Sequence, residues 1–95
     1  MGYTPMKKPS DWELRAEATS LAVKGHSHML ELHLMTFREI QDQTPSESVE
    51  RISAAVEGGY IDVLKVLDLR SMINFKGFDL KLLFTICYDR EKKQD

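Results

Sequence analysis

Apolar residues recur at spacings of three and four along most of this chain, interrupted by glycine- and proline-bearing stretches, a rhythm that predicts helices joined by turns. The first nine residues break the rule. They hold Pro5 and Pro9 and no apolar period, so residues 1–9 are expected as a loose N-terminal arm. At Ser10-Asp11-Trp12-Glu13 a serine stands three residues before a glutamate, the pattern of a capping box at a helix start. The helix that follows places Leu14, Ala18, Leu21 and Ala22 on one stripe facing the core. Gly25 then either ends this helix, with Ser27 capping a second, or sits inside one long helix at a cost of about 1 kcal/mol; a break is the preferred reading.

Residues 28–41 carry Leu30, Leu34 and Phe37 on one face, completed by Ile40 or Gln41 and widened by Met29, Leu32 and Met35. So broad an apolar surface predicts a helix buried on two sides. Thr44-Pro45-Ser46-Glu47 is the clearest punctuation: Thr44 as N-cap, Pro45 at the first helical position and Glu47 closing a capping box. A helix over 45–57 follows, with Val49, Ile52 and Val56 as its stripe, Ala54 and Ala55 beside them, and Gly58-Gly59 as its stop. Tyr60, Val63, Leu64 and Leu67 resume the helical period, and Ile61, Val66 and Leu69 make that segment apolar on most sides, as a central core helix requires.

The stretch Asn74 to Asp79 reads as a turn, after which Leu80, Leu83, Phe84 and Cys87 at helical spacing predict a helix over 79–91 capped by Asp79. The alternative is a hairpin pairing 71–75 with 82–88, because the second of these segments holds several strand-favouring residues. No internal repeat, low-complexity tract or inter-domain linker is visible. The predicted fold is all-α, four to five short helices in a compact bundle spanning 10–91 with a C-terminal tail at 92–95; an α+β fold with the C-terminal hairpin is the alternative.

Charge narrows the functional classes. Thirteen Lys and Arg against fifteen Asp and Glu leave a net charge of -2, whereas nucleic-acid binders concentrate basic charge to displace counterions. Nucleic acid is therefore not an expected partner. No run approaches the roughly 18 to 20 apolar residues that cross a bilayer, and the single cysteine, Cys87, has no intramolecular disulfide partner, so a cytoplasmic setting is expected.

All three histidines fall within Gly25-His26-Ser27-His28-Met29-Leu30-Glu31-Leu32-His33, and imidazole is both a common metal ligand and the side chain that titrates near neutrality. His26, His28, Glu31 and His33, with Cys87 as a more distant ligand, are the candidate site for a divalent transition metal such as zinc. Their spacing matches no metal motif, and on one helix no three of them converge. The blander reading places His28 at a helix start, His33 partly buried and His26 in a loop. Glu13, Glu17, Glu47, Glu50 and Glu57 read as solvated helix-face charges, and neither a nucleophile elbow nor a phosphate loop is present.

The expectation is thus a small non-enzymatic protein–protein interaction module without cofactor, its partner a second copy of itself or another protein. Leu30, Leu34, Phe37, Tyr60 and Leu64 are the candidate contact surface, because the helices that carry them are apolar on more than one face. The alternative is a metal- or cofactor-binding helical protein built on the histidine segment.

Overall fold

The computed structural model describes residues 9–40, 45–70 and 79–93. Among these residues the chain forms five α-helices and no strand: α1 (Asp11–Val23), α2 (Ser27–Thr36), α3 (Pro45–Gly58), α4 (Ile61–Arg70) and α5 (Leu80–Lys93), with a 3-10 turn at Arg38–Ile40. The all-α expectation holds, and the hairpin alternative does not, since residues 82–88 lie inside α5. Residues 71–75, the other strand of that hairpin, most of the N-terminal arm and the expected cap Thr44 lie outside the described residues.

Local chemistry accounts for the helix ends. Ser10 caps α1 through its Oγ, which accepts from the Glu13 N–H and donates to Glu13 Oε1 at 3.0 Å. Asp79 does the same for α5, its Oδ1 accepting from the Leu82 N–H at 3.1 Å. The α2 helix stops at Thr36 rather than running to 41, because Phe37 leaves helical geometry (φ -114, ψ 76) and the chain tightens into the 3-10 turn that buries Ile40. At the other end α5 outruns its expected boundary. Lys92 and Lys93, expected in a tail, sit with Arg90 in its last turn, where cations offset the negative end of the helix dipole.

Gly25 breaks the chain between α1 and α2, with φ +78, and Gly59 does the same between α3 and α4, with φ +70. The two turns are wired alike. Gly25 N–H donates to Ala22 O and His26 N–H to Leu21 O; Gly59 N–H donates to Val56 O and Tyr60 N–H to Ala55 O. Each turn then starts its second helix identically, with Ser27 N–H on Gly25 O and Leu30 N–H on His26 O matched by Ile61 N–H on Gly59 O and Leu64 N–H on Tyr60 O. Every member of the second set lies 34 positions after its counterpart.

The same interval relates part of the core, though buried Leu34, Arg51 and Val63 answer exposed Asp68, Glu17 and Met29. Leu14, Ala18, Leu21, Ala22 and Leu30 of the first helix pair and Ser48, Ile52, Ala55, Val56 and Leu64 of the second are all buried. The chain is therefore an internal repeat of helix pairs, an organisation that residue identity conceals: Glu13 and Glu47, Gly25 and Gly59, and Leu30 and Leu64 are the identical pairs across it. α1 packs on α3 and α3 on α5 to make one layer, while α2 packs on α4 to make the other. The close stacking depends on the glycines. A Cβ on Gly25 would fall 2.7 Å from the Tyr60 ring, and one on Gly59 would fall 2.6 Å from the backbone nitrogen of Glu91 in α5.

One stripe is turned from its expected position. Val49 is exposed, whereas Ser48 and Arg51 are buried with Ile52, Ala55 and Val56. α3 is flanked by α1, α4 and α5, so its buried arc is wider than an apolar stripe alone indicates.

Candidate functional site

The histidine segment is dispersed by its own helix. His26 precedes α2 and His28 stands in its first turn, both exposed, whereas His33 is half-buried one and a half turns later. His33 Nε2 donates to the Leu14 carbonyl of α1 at 2.8 Å; since a carbonyl only accepts, that nitrogen carries the proton. Its ring also lies 5.0 Å from that of Phe37. Glu31 faces α4, 3.6 Å from Arg70. Among the described residues no group of three or more His, Cys, Asp or Glu comes together to hold a metal ion. Cys87 lies on α5, fully buried, its Sγ donating to the Ala55 carbonyl at 3.4 Å. Burial, and then Glu91, push its thiol pKa up, which keeps it protonated and away from metal ligation.

The expected contact residues are mostly core. Leu30, Leu34 and Leu64 are at most 2% exposed and packed inside the chain, while Phe37 and Tyr60 are half-buried against the same cluster. The expected burial of α2 on two sides does not hold: Leu30 and Leu34 are buried where α2 packs on α1 and α4, whereas Met29, Leu32 and Met35 are exposed, as is Leu69 of α4. Leu30, Leu34 and Leu64 are therefore not contact residues, while Phe37 and Tyr60 keep part of their surface open.

Arg51 forms a polar centre that periodicity passed over. It is wholly buried, its Nε donating to Thr19 Oγ1 and its Nη2 to the Arg15 carbonyl, each at 3.0 Å. Arg15 in turn pairs through Nε with Glu47 Oε1 at 3.0 Å, so Glu47 is not the solvated charge that was expected. Desolvation lowers the Arg51 pKa, Glu47 opposes that shift, and Arg15 adds to it. A shallow groove of about 490 Å³ runs past this cluster between Trp12 and Glu50. Two of its charges, Arg15 and Glu47, are already engaged with each other in tying α3 to α1.

The larger open feature lies at the other end of the stack. A groove of about 830 Å³ runs between α4 and α5, walled by Ile61 and Lys65 on α4 and by Leu80, Lys81, Phe84, Thr85, Tyr88 and Asp89 on α5. Its lining is predominantly apolar, and Tyr88 is 51% exposed. Farther round α5, Leu82 and Ile86 are exposed too, so Cys87 is the one residue of this helix that is fully covered. A helix apolar on several sides and buried on one has faces left for contact. The helical spacing of Leu80, Leu83, Phe84 and Cys87 was legible in the sequence; that Cys87 is buried, Leu83 and Phe84 half-buried and Tyr88 exposed beside them was not.

The chain matches no protein-family model, no curated protein and no solved structure. No described helix is long and apolar enough to cross a membrane.

Proposed function

We propose that this chain is a non-enzymatic protein–protein interaction module that associates with a second copy of itself through the apolar groove between α4 and α5. The observation that carries this reading is the predominantly apolar groove lined by Leu80, Phe84, Tyr88 and Ile61, in which Leu80 and Phe84 are half-buried and Tyr88 is exposed. An apolar groove left open among the described residues is a surface that a partner can cover. Among soluble oligomers, twofold pairing of identical chains is the commonest arrangement.

Sedimentation of the purified chain over a wide concentration range tests the proposal. A dimer that Tyr88→Glu converts to monomer, without loss of helical circular dichroism, supports it. A chain that sediments as a monomer at every concentration overturns it.

A further inference from the structure

The groove between α1 and α3 has a chemistry of its own. Trp12, Ala16 and Ser20, four residues apart along α1, form one wall, and Glu47 and Glu50 of α3 form the other, around a volume of about 490 Å³. Trp12 is 65% exposed, and only small side chains follow it along its wall. The cations of this face are withdrawn from it. Arg15 is half-buried and paired with Glu47, and Arg51 is wholly buried, its Nε and Nη2 spent on Thr19 and the Arg15 carbonyl. Glu50 is exposed, and its carboxylate makes no hydrogen bond or ion pair among the described residues. Of the three charges that act on Arg51, its pull is the weakest.

Charge on the rest of this face has one sign. The exposed charged residues of α1 and α3 are Asp11, Glu13, Glu17, Glu50 and Glu57, all of them acidic. Such a face repels nucleic acid and anionic lipid. An apolar helix laid in the groove would strip water from Glu50 and leave it unpaired, which is costly. An arginine side chain meets both exposed groups at once: its planar guanidinium stacks on an indole and binds a carboxylate through two N–H donors, while its methylenes cover small neighbours.

We infer that the α1–α3 groove is a second contact surface, which takes an extended, arginine-bearing segment of another protein, one guanidinium resting on Trp12 and paired with Glu50. The contact is independent of self-association through the α4–α5 groove, whose lining shares no residue with it.

Trp12 is the chain's single tryptophan, so its emission reports the groove directly. Titration of the full chain with a short peptide alternating arginine and glycine is expected to shift that emission to saturation, and the lysine version of the peptide to bind more weakly. Glu50→Gln weakens the binding about tenfold. Glu57→Gln, which removes an acid outside the groove, leaves it within a factor of about two. By calorimetry Trp12→Leu weakens it as well, and Tyr88→Glu leaves it unchanged. Equal losses from Glu50→Gln and Glu57→Gln reduce the effect to diffuse attraction and overturn the site, as does an emission that stays constant through the titration. Emission that shifts instead with the chain's own concentration, in the absence of peptide, gives the groove to a second copy and overturns the assigned partner.

Discussion

Arg51 and Thr19 are joined across the α3–α1 contact by a 3.0 Å hydrogen bond from the guanidinium Nε to the hydroxyl, in a position where Arg51 has no solvent exposure. The same guanidinium holds the Arg15 carbonyl through Nη2. A buried cation contributes little net stability against an apolar group of equal size, but removing one half of its network strands the rest. Arg51→Ala, which leaves both a cavity and unpaired acceptors, is expected to cost about 3 kcal/mol. Arg51→Met, which keeps the volume, is expected to cost under about 1 kcal/mol or to stabilise. Urea unfolding followed by circular dichroism measures both, and equal losses from the two substitutions contradict the argument.

The two turn glycines differ in what surrounds them. Alanine at either site takes on a left-handed conformation worth about 1 to 2 kcal/mol. At Gly59 the new methyl group also meets the α5 backbone at Glu91, which cannot rotate away, so Gly59→Ala is expected to cost about 3 kcal/mol in all. At Gly25 the obstacle is the Tyr60 ring. Combining Gly25→Ala with Tyr60→Ala therefore gives a loss smaller than the sum of the single losses, whereas additive losses show that the two turns are not in contact.

Much of this architecture is legible in the residues, and the part that is not has a physical origin. Capping residues and positive-φ glycines act locally, so Ser10, Gly25, Pro45, Gly59 and Asp79 mark the helix ends without reference to the rest of the chain. The repeat is concealed because residue type changes even where burial is kept, Leu14 answered by Ser48 and Ala18 by Ile52, and elsewhere burial changes too, buried Arg51 and Val63 answering exposed Glu17 and Met29. Arg51 escapes a hydrophobic reading because its burial depends on acceptors supplied by Thr19 and Arg15 from α1. Leu30, Leu34 and Leu64 read as surplus apolar surface only until α2 is stacked on α4; the apolar surface left open lies instead on Met29, Leu32 and Met35 of α2 and on Leu82, Ile86 and Tyr88 of α5.

Cys87 links stability to pH. Burial holds its thiol protonated above the ordinary thiol range, with Glu91 adding to the shift. In the unfolded chain the thiol ionises earlier, so the folded state binds more protons there and its stability falls as pH rises past about 8.5, while below that range Cys87 contributes no slope. Cys87→Ala is less stable at pH 7 for want of packing, yet loses less on going to pH 9.5. A parallel decline in the two proteins, measured by urea midpoints, contradicts a buried protonated thiol. The native thiol is also expected to react with a maleimide only on unfolding.

Hydrogen exchange of the wild-type chain at low and high protein concentration tests most directly whether the α4–α5 groove is the self-association surface. The groove account predicts that concentration adds protection to backbone amides across residues 80–89 and at the start of α4, while amides of α1 and α2 exchange equally at both concentrations. Protection that is independent of concentration, or that rises on α2 instead, contradicts it.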